Sequence, residues 1–319
     1  MPQRLSTYLQ NTYGKKIYRL SLSSGCSCPN RDGHIVLPGG KVLTQGCSFC
    51  SEGGSGEFAA GFTDIDTQIE LAKRIIAKKT NAKSFIAYFQ SYTNTYGNVL
   101  RLRALYSKVI DRSDIEILSI GTRPDCLGRD IMEMLKDLNA IKPVWIELGL
   151  QTVHEKTAAR IDRGYMLETF EASYLQLKEA GLTAIVHVIF GLPGESKEDM
   201  LDTVRYLSAL TPDLDGIKIQ NLQMLKGTRI CDEYLKSLGR KPEEQPGGKS
   251  TENPDFYIMS MEEYTDLVAE SLALLPKNTV VHRMTGDGPR WLLVEPLWSL
   301  DKKKVLNMLN QKTKSFWLP

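Results

Sequence analysis

Four of the six cysteines lie in one stretch, GCSCPNRDGHIVLPGGKVLTQGCSFC, between Gly25 and Cys50. Cys26 and Cys28 are one residue apart, and Cys47 and Cys50 form a C-x-x-C pair. Thiols this concentrated can form a disulfide, bind zinc, cycle as a redox dithiol or hold an iron–sulfur cluster. The N-terminal MPQRLSTYLQNTYGKK lacks an apolar core of signal-peptide length, and no apolar run is long enough to span a bilayer. A cytoplasmic location with no membrane contact is therefore expected. There thiols stay reduced, so a disulfide is the weakest reading. Zinc ribbons usually pair two C-x-x-C knuckles, and Cys26-Ser-Cys28 fits a knuckle poorly. A redox dithiol has no need of the upstream pair. Thiolates on a loop after a strand suit a cubane cluster, and three of them leave one iron open to another ligand. Iron–sulfur accounts for more of the residues than zinc or a dithiol, and all three stay open at this level.

Something must position these thiols. The chain has 319 residues and a net charge of +2. That length buries a core easily, and the charge gives no global signal for a polyanionic partner. Short runs rich in Ile and Val predict strands at 17–22, 84–90, 115–121, 144–150, 183–190 and 216–221. Amphipathic runs between them predict helices at 66–79, 129–139, 168–182 and 196–210, the first with Ile69, Ala72, Ile75 and Ile76 on its stripe. Repeated βα units imply a parallel sheet, open or curled into a barrel. Residues 240–256, rich in Pro, Gly and charge, read as a linker. The remainder, with helices at 261–275 and near the C-terminus, reads as an extension packed on the sheet. The domain reading is thus 1–239 for the sheet, with a cysteine loop at 25–58, and 240–319 for linker and extension.

Functional loops in βα architectures gather at the C-terminal ends of the strands. Polar clusters stand at several such ends: FQSYTNTYG, GTRPDCLG, ELGLQT, FGLPGES and IQNLQMLKGTR. They and the cysteine loop should open onto one face.

The residues around the thiols, CPNRDG, CSFC and SEGGSGEF, resemble the radical S-adenosylmethionine (SAM) superfamily, in its branch related to the catalytic subunit of elongator. IGTRPD, ELGLQTVHEKTAARIDRGY, HVIFGLPGES and KIQNLQMLKGTRI continue the match. YFQSYTNTY, TRPDCL and RMTGDGP…EPLWS look like the YtqA/YhcC family within it. The resemblance implies an α/β fold, a partial (β/α)6 barrel with a short C-terminal α/β extension. It implies a [4Fe–4S] cluster held by Cys28, Cys47 and Cys50, with SAM on the fourth iron and Cys26 as the alternative upstream ligand. The family's usual spacing is C-x3-C-x-x-C; here an insertion separates Cys28 from Cys47. Cleavage of SAM at the reduced cluster would give methionine and a 5′-deoxyadenosyl radical that abstracts hydrogen from substrate. The resemblance further implies SAM contacts from Gln90, Ser91, Thr93, Gly121, Thr122, Gln151, Arg163 and His187, with Gly191 and Pro193 shaping an adenine pocket. It points to a wobble uridine of tRNA, at which a carboxymethylaminomethyl group is converted to aminomethyl, and to an electron donor such as flavodoxin or ferredoxin.

Plainer roles stand beside these. Gln151 could cap a strand end, Arg163 sit in a surface ion pair, His187 be a satisfied core histidine and Glu147 be structural. Cys126 and Cys231 are lone cysteines, more often buried small hydrophobes than ligands. Cys126 alone falls on the expected functional face, as a weak catalytic candidate. The basic tail DKKKVLNMLNQKTKSFWLP could touch phosphates, though a solvated helix face is its bland reading. Two alternatives to the tRNA enzyme remain: a radical SAM enzyme acting on a small metabolite or peptide, and a non-catalytic iron–sulfur or zinc protein that binds RNA.

Overall fold

The computed structural model describes residues 2–54, 63–78, 80–239, 255–286 and 288–316; most of the expected linker lies outside them. The described strands are β1 (Gln3–Arg4), β2 (Tyr18–Leu22), β3 (Ile35–Val36), β4 (Val42–Leu43), β5 (Phe85–Phe89), β6 (Ile115–Thr122), β7 (Val144–Gln151), β8 (Thr183–Phe190), β9 (Gly216–Asn221), β10 (Met224–Leu225), β11 (Val280–Arg283) and β12 (Leu293–Glu295). Eight form one parallel sheet in the order β1-β11-β9-β8-β7-β6-β5-β2. All six predicted strands are present and lie side by side. The C-terminal segment supplies β11 to the sheet itself, and the N-terminal β1 pairs outside it. β3 with β4, and β10 with β12, form two small antiparallel ribbons.

The sheet is curled. In a flat sheet β9 and β5 would stand about 19 Å apart, four strand spacings, beyond the reach of any lysine. Yet Lys218 on β9 places its Nζ 4.2 Å from the centre of the Tyr88 ring on β5. The result is a parallel half-barrel. Side chains alternate between its two faces. Outward residues such as Leu20, Phe89, Leu118, Ile146 and Val186 are buried in the large core under the helices. Inward residues stack in layers. Ile86, Ile117, Trp145 and Ile185 plug the bottom against Leu9 of helix α1 (Leu5–Tyr13). Two residues further along come Tyr88, Ser119, Glu147 and His187. Two further still come Gln90, Gly121 and Gly149, at the mouth.

Helices α2 (Ile65–Ala77), α3 (Val99–Ile110), α4 (Arg129–Asn139), α5 (Glu155–Arg160), α6 (Leu167–Glu179), α7 (Lys197–Ser208), α8 (Arg229–Ser237), α9 (Met261–Leu274) and α10 (Lys302–Lys312) follow. Side-chain caps fix several starts: Asp64 accepts from Thr67 N, and Ser196–Asp199 and Ser260–Glu263 form capping boxes. One expected core position is corrected. Ile75 is 61% exposed, and the inward line of α2 runs through Ile65, Ile69, Ala72 and Ile76. Those positions share one face of a 3.6-residue helix; Ile75 precedes Ile76 by about 100°.

The described part of the cysteine loop is held down at Gly54; residues 55–58 of the expected loop lie outside the described residues. A Cβ on Gly54 would lie 2.3 Å from the Tyr92 ring, and Gly54 has φ +54. Gly54→Ala should therefore lower stability by about 1–3 kcal/mol, from the left-handed backbone and the overlap together. Thermal unfolding of the two proteins checks this; equal midpoints would show that Gly54 is not held in this form.

Candidate active site

The long insertion before Cys47 is built as a brace. Its β3–β4 ribbon sets Ile35 and Leu43 against Gly164, where an added Cβ would meet both at 3.1 Å. Lys41 pairs with Asp162 at 2.9 Å, and Arg229 holds both Asp162 and, at 2.7 Å, the carbonyl of Gly46. Ser48 N donates to Ile161 O at 2.9 Å, and Ile230 N to Ser48 O at 3.0 Å. Arg31 reaches the carbonyl of Ser51 at 2.9 Å and lies over the Tyr92 ring. The insertion thus ties the thiol loop to the segment that follows α5 and to the start of α8.

Cys28, Cys47 and Cys50 line one cleft. Cys26 does not. It is buried beside α3, where Arg101 Nη2 donates to its sulfur at 3.1 Å. Donors surround the cleft thiols. Thr93 Oγ1 donates to Cys28 Sγ at 3.2 Å. Asn30, fully buried, bridges two of them: its Nδ2 is 3.3 Å from Cys47 Sγ and its Oδ1 2.8 Å from Cys28 Sγ. With the amide turned over, Nδ2 faces Cys28 and the oxygen accepts from Arg123 Nη1 and Cys47 N, both at 3.2 Å. That orientation suits a Cys28 thiolate. Arg123 is gripped by Asp125 at 2.7 and 2.9 Å. Burial disfavours its charge, but Asp125 and the thiols of Cys47 and Cys28 more than offset this. Cys50 donates to Cys47, which with Arg123 and Asn30 pulls Cys47 down to about 6; the same bond and burial push Cys50 up. Among the described residues no three His, Cys, Asp or Glu side chains converge tightly enough for a single metal ion. Three thiols in one cleft, supplied with donors and a cation, do fit a cluster held by thiolates.

The strand ends complete the walls. Gln90, Thr93, Gly121, Thr122, Gln151, Arg163 and His187 line the same cleft, as do Phe49, Tyr88, Glu147 and Tyr165. It leaves about 130 Å³ of room, many times the roughly 10–15 Å³ that one water needs. Among the described residues, the non-glycine positions with left-handed backbone are Tyr92 and Gln151, both in this wall, and Asp162, which braces the thiol loop beside it. Strained backbone of this kind gathers at functional sites. Ser91 is buried but outside the wall, and so are Gly191, packed near Met259, and Pro193. Cys126 also lies outside it, its thiol pushed up by burial and Asp125. Cys231 is buried in the small core around α8. Arg163 is no surface ion pair. It is fully buried, donating to Tyr165 O at 3.0 Å, Leu150 O at 3.2 Å, Thr152 O at 2.7 Å and Glu155 Oε1 at 3.0 Å. Four of its five N–H groups are thus engaged by the protein itself.

A family model described as the radical SAM superfamily matches residues 44–207, just over half of the chain. The chain belongs to the radical SAM superfamily. A second model, the radical SAM C-terminal domain, matches residues 248–315. Among relatives, the uncharacterized protein YtqA of Bacillus subtilis (strain 168) is 37% identical over 97% of this chain and 88% of its own length. The tRNA uridine(34) acetyltransferase of Methanocaldococcus infernus is 28% identical over 56% of this chain and 30% of its own. The solved archaeal Elp3 of that organism shares the fold, with TM-score 0.59 and 17% identity, over 77% of this chain and 57% of that one. The superfamily implies a [4Fe–4S] cluster and SAM. Cys47 and Cys50 fall inside the matched segment and Cys28 before it.

Below the mouth of this radical SAM cleft lies a charged layer. Glu147, 1% exposed, accepts from Ser119 Oγ at 2.8 Å, meets His187 Nε2 at 2.9 Å and pairs with Lys218. Arg19 stands 3.9 Å away. Burial alone would raise the Glu147 carboxyl, but Lys218, His187 and Arg19 hold it well below its ordinary value. Burial and the field of Arg19 draw Lys218 down. Sequence reasoning singled out neither Asn30, Arg123, Arg19 nor Lys218. Asn30 and Arg123 sit inside the quoted CPNRDG and GTRPD; Arg19 and Lys218 are single charges inside apolar strands, the one signal available for them.

Burial, and then the nearby Lys218, lower His187 to about 4, against roughly 6.5 in an unfolded chain. Between those values the unfolded chain binds more protons, so stability should fall as pH drops from 6.5 to 4. The loss traceable to His187 is at most about 3 kcal/mol. His187→Gln should flatten that part of a denaturant-measured stability profile. An unchanged slope would place the pH dependence in other groups.

Proposed function

We propose that Cys28, Cys47 and Cys50 carry the [4Fe–4S] cluster and that the chain is a radical SAM enzyme of tRNA wobble-uridine modification, removing the carboxymethyl part of a carboxymethylaminomethyl group to leave aminomethyl. The observation that carries the cluster assignment is the shared cleft, which takes these three thiols and leaves Cys26 on Arg101. When bound, the reduced cluster and SAM would supply a 5′-deoxyadenosyl radical.

The protein's own residues have definable tasks. Thr93 and Asn30 donate to the thiolates, which fixes their direction and stabilises their negative charge. Arg123 places a buried cation beside Cys28 and Cys47. Gln90, Thr122 and Gln151 offer amide and hydroxyl groups to a zwitterionic nucleoside. His187, neutral at pH 7 with Nε2 held on Glu147, keeps Nδ1 as an acceptor. Phe49 and Tyr88 add apolar surface. The tRNA assignment is supported by the match to a tRNA uridine(34) acetyltransferase over this segment and by the elongator-like motifs.

Two measurements test this reading. Anaerobically reconstituted protein should release 5′-deoxyadenosine from SAM on reduction. Alanine at Cys28, Cys47 or Cys50 should remove at least 100-fold of that activity, while Cys26→Ala retains it. Loss with Cys26→Ala and retention with Cys28→Ala would exchange the two assignments. Nucleoside mass spectrometry of tRNA from a strain lacking the gene should show accumulated carboxymethylaminomethyluridine. An unchanged profile would refute the tRNA substrate and leave the SAM chemistry standing.

A further inference from the structure

A second pocket opens between the two free edges of the half-barrel. Arg4 ends β1 at one edge, and Arg19 stands on β2 at the other. Arg283 of β11 and Lys302 of α10 join them, with His282 and Ser6. None of the described residues lining it is acidic. It offers about 530 Å³ of room, against about 130 Å³ in the thiol-lined cleft.

Two further observations give this pocket a positive field. Arg19 has Nε and Nη2 buried without a hydrogen-bond partner. Its nearest carboxylate, Glu147, is 3.9 Å away and already engaged by Lys218 and His187. Helix α1 begins at the pocket wall with no side-chain cap and no acidic residue in its first turn, so its positive end adds to the field. Burial lowers Arg4, and burial with Arg19 and Lys218 lowers His282 well below its ordinary range.

We propose that this pocket is a phosphate-binding subsite for the substrate, with Arg4, Arg19 and Arg283 as donors and Lys302 at the rim. Guanidinium forks bind phosphate oxygens in pairs. Three forks, an ammonium and a helix end supply more donors than the two oxygens of a carboxylate can use. Arg19 stands 3.9 Å from Glu147, itself a wall of the thiol-lined cleft, so one charged layer separates the two pockets. The source of the phosphate, a polynucleotide or a small phosphorylated molecule, rests on the tRNA reading; the subsite itself does not.

The test uses full-length protein purified anaerobically. Pyrophosphate and an RNA stem–loop are titrated separately, then against each other, by calorimetry or fluorescence anisotropy. Both should bind and compete. Arg4→Gln and Arg283→Gln should each weaken pyrophosphate binding about 10-fold, the scale of one lost charge-assisted hydrogen bond. Each should also reduce the salt slope of RNA binding by about 0.7–0.9. Lys302→Gln, at an exposed position, provides a variant that does not disturb the fold and should act in the same direction. Pyrophosphate binding that depends on these residues but is not displaced by RNA would keep the subsite and overturn the polynucleotide source. Absence of pyrophosphate binding, or binding of either probe indifferent to all three substitutions, would overturn the subsite.

Discussion

The buried carboxylate of Glu147 ties the half-barrel together from inside. It reaches side chains from β6, β8 and β9, with a guanidinium of β2 close by. A lone carboxylate there would be costly to bury, and so would Lys218 without it. Lys218, held in that pair, also reaches the Tyr88 ring on β5, four strand spacings away, which a flat sheet would keep apart. The pairing therefore belongs with the curvature that gives the molecule an interior at all. Below this layer the interior is apolar and closed by Trp145; above it the walls turn polar and the cleft opens.

The cysteine loop relies on the same scaffold. Its thiols are supplied by a segment with little regular structure, which would not hold three sulfurs in place unaided. The insertion supplies the order through Asp162, Gly164, Ile161 and Gly46. Asn30 then bridges Cys28 and Cys47 from a fully buried position. Such an amide sets the geometry of both sulfurs and, through Nδ2, moderates the charge of the one it faces.

Much of this was legible in the sequence. Continuous Ile- and Val-rich runs placed six strands, and the βα alternation made them parallel. The clustering of thiols and polar strand ends on one face followed from topology. What was not legible has a physical pattern. Arg163 has the residue type expected for a carboxylate, but its donors are spent on Leu150, Thr152, Tyr165 and Glu155, which no one-dimensional spacing reveals. Arg19 and Lys218 gain their importance from the curl of the sheet, a property of the assembled strands. Cys26 and Cys28 are near-equivalent in sequence, and only the fold separates them, Cys28 facing the cleft beside Thr93 and Asn30 and Cys26 buried on Arg101.

The central claim is that three thiolates from one cleft hold a cluster with an iron position left open for SAM. Electron paramagnetic resonance of the reconstituted, reduced protein tests it most directly. The cluster signal should change when SAM is added, in the native protein and in Cys26→Ala alike, and should be absent from Cys28→Ala. A signal indifferent to SAM, or one that survives Cys28→Ala and disappears in Cys26→Ala, would contradict the account.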